Sequence, residues 1–69
     1  MKVVAIKVLG SDREPLDLEL SPGMTAKDLL EGADLAGYLL VRQGEQHYLQ
    51  PEEAIYDKLE DCEILYASM

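Results

Sequence analysis

His47 is the chain's single histidine, and Glu45 two residues before it is the nearest carboxylate that could work with it. On a strand these two positions share a face. The pair could therefore supply a base with an orienting carboxylate, or two ligands of a metal. Neither role has its third group nearby, so the plainer expectation is an exposed ion pair. Cys62, the only cysteine, stands between Asp61 and Glu63. Neighbouring carboxylates disfavour a thiolate, which argues against a nucleophile. A lone thiol also excludes an internal disulfide and leaves a zinc site without its thiolate set, and it suits a reducing compartment. Ser11, Ser21 and Ser68 lie in no nucleophile motif. The acidic residues do not follow the alternating Asp spacing of a calcium loop. The sequence thus predicts no enzyme, no catalytic residue, no metal site and no cofactor.

The elements that would position any site are clearer. Leu16, Leu18 and Leu20 alternate with Asp17 and Glu19, the period of a strand with one dry face. After Ser21-Pro22-Gly23 the period changes. Ala26, Leu29, Leu30 and Ala33 now recur at helical spacing, behind Thr25 as N-cap and Asp28 as its capping-box partner. Gly32 limits this helix to about two turns. Upstream, Val3 to Leu9 reads as a first strand with Val4, Ile6 and Val8 on one face, and the polar loop from Gly10 to Glu14 makes a hairpin of the two strands. Downstream, Tyr38 to Arg42 predicts a third strand. Gln43-Gly44-Glu45 supplies a turn, Gln46 to Leu49 a short fourth strand, and Pro51-Glu52-Glu53 a loop entering a single helical turn that offers Ala54, Ile55 and Leu59. Glu63 to Ala67 is the last strand. Laying the helix across the dry face of a mixed sheet of four or five strands buries every apolar face, with the first and last strands as parallel neighbours.

At 69 residues this is one domain near the lower limit for folding on a hydrophobic core, too small for a cleft between two lobes. Fourteen acidic against six basic residues give a net charge of −8. Such a field repels nucleic acid and anionic lipid and favours a basic protein surface, although scattered carboxylates also serve solubility alone. No signal-peptide layout or membrane-length apolar run is present, and a cytoplasmic location is expected.

In this order the pieces resemble the ubiquitin-like β-grasp superfamily, over essentially the whole chain. The carriers are the opening hairpin (Val4, Ile6, Val8, then Leu16, Leu18, Leu20), Ser21-Pro22-Gly23-Met24-Thr25 before Asp28-Leu29-Leu30, the Leu39-to-Glu45 segment, and Leu59-Glu60-Asp61-Cys62-Glu63-Ile64-Leu65. The first part is similar to ubiquitin, the last part to the small sulfur carriers of thiamine and molybdopterin synthesis. The resemblance implies an α+β fold and action through a surface. It departs from the family at one point. Members activated by adenylation end in Gly-Gly, a slim tail that threads into an active site, whereas this sequence ends Ala67-Ser68-Met69. Activation of that tail would require further processing or an activating enzyme that accepts it.

The resemblance also implies an apolar patch on the open sheet face as the partner-binding surface. If Leu39, Val41, Ile64 and Tyr66 point to the core, then Leu40, Arg42 and Leu65 point outward and join Leu9 there. A slip of one residue would exchange the two faces, and single exposed leucines are ordinary in themselves. The four tyrosines read as residues at the core rim, ring buried and hydroxyl wet. The functional expectation is a small ubiquitin-like protein of bacterial style. It would serve as an interaction module or modifier in a conjugation-like or sulfur-transfer-like pathway, meeting a larger partner with a basic and apolar surface such as an adenylating enzyme. Two alternatives stand beside it: a sulfur carrier activated at its processed C-terminus, and a non-catalytic subunit of a larger enzyme complex.

Overall fold

A computed structural model describes residues 1–69. The chain forms strands β1 (Lys2–Val8) and β2 (Leu16–Leu20), helix α1 (Ala26–Gly32), then strands β3 (Leu39–Arg42) and β4 (Ile64–Ser68). The sheet order is β2-β1-β4-β3, with β1 antiparallel to β2, β1 parallel to β4, and β3 antiparallel to β4. First and last strands are therefore the two central neighbours, and the helix lies in the crossover between them, as the apolar periods require.

Alternation decides which side is dry. Val4 and Ile6 are buried, and their register partners Leu18 and Leu16 fall on the same face of β2, followed by buried Leu20. Ala26, Leu29 and Leu30 come down on that face from the helix. Leu35, Leu49, Ile55 and Leu59 close it from the loops, and all 13 buried residues are apolar. Each fully buried leucine or isoleucine contributes roughly 1.5–3 kcal/mol relative to an exposed one.

The start of α1 is fully satisfied. Asp28 N–H donates to Thr25 Oγ1 (3.2 Å) while Thr25 N–H donates to Asp28 Oδ2 (3.1 Å), a reciprocal capping box. The amides of Ala26 and Lys27 donate to the Glu53 and Pro51 carbonyls, and Leu29 N–H to the Thr25 carbonyl. Helix termini leave such amides without intrahelical partners, so the segment around residues 51–53 and the cap share the task. Thr25→Ala is expected to lower stability by about 1 kcal/mol, read as a lower urea midpoint with an unchanged slope.

One expected element is smaller than its sequence suggests. Gln46 to Leu49 is no strand: it contributes a single bridge, Val41 with Tyr48, and one bond from Leu49 N–H to the Leu40 carbonyl at 2.8 Å. Gln46, His47 and Tyr48 are exposed, so only Leu49 has an apolar reason to stay against β3. The loop of residues 51–53 leads into a turn that runs from Ile55 to Leu59. Leu59 N–H donates to the Ile55 carbonyl (2.9 Å), burying both side chains and leaving Ala54 exposed. Lys2 holds this turn to β1: its Nζ donates to the carbonyls of Tyr56 (2.6 Å) and Leu59 (3.0 Å) and sits 4.8 Å from the Tyr56 ring centre.

Candidate interaction surface

The sheet has one face under the helix and one face open. Following the register outward from β2, the open face carries Asp17, Ala5 and Ile64 in one row, since Asp17 pairs with Ala5 and Ala5 with Ile64. The next row is Lys7, Tyr66 and Val41. Beyond it Ser68 lies beside Leu39, and at the opposite end Glu19 lies beside Val3. Tyr48 adjoins Val41 through their bridge, and Ser68 Oγ donates to the Tyr48 hydroxyl at 3.3 Å.

This reverses the expected faces of β3 and β4. Leu40 and Leu65 are completely buried, whereas Leu39 is 38% and Ile64 40% exposed, with Val41 and Tyr66 half-buried beside them. The cause is pairing. Leu65 sits opposite Ile6 and Leu40 opposite Ala67, both core residues, so their side chains share the helix side of the sheet. Leu40 and Leu65 are thus core, and the outward apolar residues are Leu39, Val41, Ile64 and Tyr66. Leu9, just past β1, is 52% exposed without the buried Leu40 and Leu65 it was expected to join, and its amide extends the ladder by donating to the Ala67 carbonyl at 2.9 Å.

Arg42 is likewise not an outward residue. It shares the core side with Leu65 and closes the end of the core there. Its Nε and Nη2 donate to the two Glu63 carboxylate oxygens at 2.6 and 3.1 Å, a forked pair that reaches Glu45 more loosely at 3.7 Å. Burial pushes the Glu63 carboxyl up, but the Arg42 guanidinium and the Glu60 amide outweigh it and hold the group below the ordinary glutamate range. The same Glu63 bond raises Arg42, against partial desolvation.

The other candidates are dispersed. His47 is exposed and pairs with no carboxylate, because Glu45 turns to Arg42. Cys62 is exposed in the turn before β4, with a positive φ of 65° and its amide on the Val3 carbonyl at 2.7 Å. Beside it Asp61 accepts from Val3 N–H (2.8 Å), which lowers its pKa. Glu53 is lowered by its Lys58 pair and then by the Gln50 amide. No group of three His, Cys, Asp or Glu residues is close enough to hold a metal ion, and no helix is long and apolar enough to cross a membrane. Of the three tail residues, Ala67 is wholly buried and Ser68 is paired in β4, while Met69 is exposed. A cleft of about 330 Å³ opens beside Leu39, lined also by Lys27, Leu30, Glu31, Tyr38 and Pro51.

The residues that the sequence reading missed are Leu39 and Val41 on β3 and Ile64 and Tyr66 on β4. Their only signal was the alternation of β1, in which Val3, Ala5 and Lys7 face away from Val4 and Ile6. Carried across the parallel pairing, that alternation assigns Ile64 and Tyr66 to the open side.

No family model matches the chain, and no curated protein matches it. Among solved structures, one described as "Molecular Mimicry of SUMO promotes DNA repair" superposes with a TM-score of 0.77 over 99% of this chain and 90% of that one, at 21% identity. With one helix on a mixed four-stranded sheet whose first and last strands are central neighbours, the chain has the ubiquitin-like β-grasp fold.

Proposed function

We propose that this chain is a protein-interaction module that works without catalysis of its own and binds through the open sheet face formed by Leu39, Val41, Tyr48, Ile64 and Tyr66. The observation that carries the reading is the contiguity of these side chains. They fall on adjacent register positions of β3 and β4, no element of the chain covers them, and Leu39, Tyr48 and Ile64 remain substantially exposed. Exposed apolar surface gathered in one place is what recognition sites use, whereas isolated exposed residues need no explanation. A fold neighbour described as mimicking SUMO is in keeping with a molecule that acts by presenting a surface. The proposed partner is a larger protein with apolar pockets and a basic rim. A conjugation-like or sulfur-transfer-like setting, with an adenylating enzyme as the partner, is the specific form suggested by the resemblance in the sequence.

A photoreactive side chain in place of Ile64, compared with one in place of exposed Asp57 in the turn before β4, tests the surface in the protein's own cells. Discrete cross-linked species from position 64 and none from position 57 are expected. Adducts from position 57 alone, or from neither, would overturn the reading. Intact mass of the same native material tests the setting. An attached protein or a thiocarboxylate mass shift supports it, and an unmodified chain restricts the module to non-covalent binding.

A further inference from the structure

We infer that the partner of the open sheet face is a protein element with an aliphatic stripe flanked on one side by lysine or arginine, and that Asp17 and Glu19 on β2 fix its orientation. This rests on the proposed use of that face and goes on to specify what it accepts.

Size comes first. Four strands spaced at about 4.8 Å and five residues long give a face of roughly 300–350 Å². A standard interface covers about 800 Å² on each partner. A partner seated on Ile64 and Val41 must therefore extend past the apolar rows onto their borders.

The borders are chemically unequal. On the β2 side the neighbours are Asp17, opposite Ala5, and Glu19, opposite Val3, both exposed. Neither accepts a side-chain hydrogen bond or lies within 4.0 Å of a cation: the chain's ion pairs are Arg42 with Glu45 and Glu63, and Lys58 with Glu53. On the β3 side the border is Tyr48, a polar tip on an apolar body, with no charge in the register. Lys7 is the single cation on the face and stands on β1 in the Tyr66 row, the row next to that of Asp17. Two acids along the β2 edge, facing an uncharged β3 edge, give the face a direction. Asp17 stands two strands from Ile64, about 10 Å away, so charges over β2 act within one Debye length of the apolar contact. A partner with cations over β2 gains attraction there, and one turned end for end carries those cations to the uncharged β3 edge and loses it. The net charge of −8 adds a long-range bias toward the same partners and opposes self-association through this face.

The test uses the intact, isotopically labelled domain and two synthetic amphipathic helices of about 18 residues. Both carry the same leucine stripe, one bordered on one side by lysines and the other by glutamates at those positions. Amide shifts are followed in wild type and in the D17N/E19Q variant, whose substituted side chains make no contact that folding needs. The inference expects the lysine-bordered helix to shift residues 3, 5, 17, 19, 41, 64 and 66, to bind about tenfold more weakly to D17N/E19Q, and to lose affinity as salt rises. The glutamate-bordered helix should bind more weakly to wild type and be indifferent to the variant. If both helices bind the face equally well and D17N/E19Q changes neither, the inference fails while the face stands as a docking surface. If neither helix perturbs the face, both the inference and the proposed function fall.

Discussion

Replacing Leu65 with alanine is expected to leave much of the protein unfolded at room temperature, while replacing its neighbour Ile64 leaves it folded. Leu65 is completely buried between β1 and β3, opposite Ile6. Truncating such a leucine costs about 2–5 kcal/mol, for the lost transfer of its methyl groups and for the cavity left behind. A domain of 69 residues has roughly 3–10 kcal/mol in all, so the loss takes a large share of it. Ile64 faces solvent at 40% exposure, and Ile64→Ala should cost no more than about 1 kcal/mol, mainly reduced strand preference. Urea titrations of the two variants provide the check. Equal losses, or a larger loss at position 64, would show that the face assignment of β4 is wrong. The same pair separates folding from recognition. I64A should keep its stability and lose peptide binding, a combination that a core position cannot produce.

The second large effect concerns the pair at the end of the core. Arg42 and Glu63 are 24% and 14% exposed at their side chains, so water screens their forked bond only partly. Arg42→Met removes the cation and both donors but leaves the Glu63 carboxylate half-enclosed, at a cost of about 1–3 kcal/mol near neutral pH. The double variant R42M/E63Q should recover part of that loss, because the stranded charge is gone. The pH dependence has a definite direction. Glu63 is held below its ordinary value of 4.5 in the folded protein. It therefore binds a proton more readily when unfolded, and its stabilisation is complete above that value. The stabilisation then falls away as pH drops through the lowered folded value. The stability difference between wild type and E63Q should accordingly be constant at neutral pH and shrink in acid below about pH 4.5. A difference that grows in acid would mean that the carboxylate is not stabilised by Arg42. Using the difference matters, since a chain with 14 acidic residues also loses self-repulsion as it is titrated, which acts in the opposite sense.

Much of the architecture was legible because local and tertiary demands agree. The leucine alternation of β2 and the Thr25–Asp28 cap each specify one conformation, and the hairpin and helix follow from them. The parallel pairing of the end strands follows from the need to cover both. The recognition face was half legible. The segment from Tyr38 to Val41 is apolar at every position, so alternation within it cannot say which leucines are dry. The same holds from Ile64 to Ala67. Only pairing with β1, whose Lys7 marks the wet side, breaks the tie, and pairing is a long-range property. Gln46 to Leu49 failed as a strand for a related reason. A strand needs a partner along its length, and only Tyr48 and Leu49 find one. Arg42 looked like a surface cation, but the end of a short sheet leaves the core open, and the arginine with Glu63 closes it.

The pairing of β1 with β4 also governs how the domain comes into being at the ribosome. The hairpin and the Thr25–Asp28 cap involve neighbours in sequence, while the first amides of the helix wait for the carbonyls of Pro51 and Glu53. Ala5, however, meets Ile64 and Val8 meets Ala67, contacts that span nearly the whole chain. Until β4 is synthesised, one edge of β1 stays unpaired and the helix lies on half a sheet, a state that exposes strand edge and apolar surface alike. Closing so long a loop before its contacts repay the lost entropy makes the last step slow relative to the first. A nascent chain halted before Ile64 should therefore be open to proteases and chaperones, and release of the final strand should convert it to the resistant form in a single step.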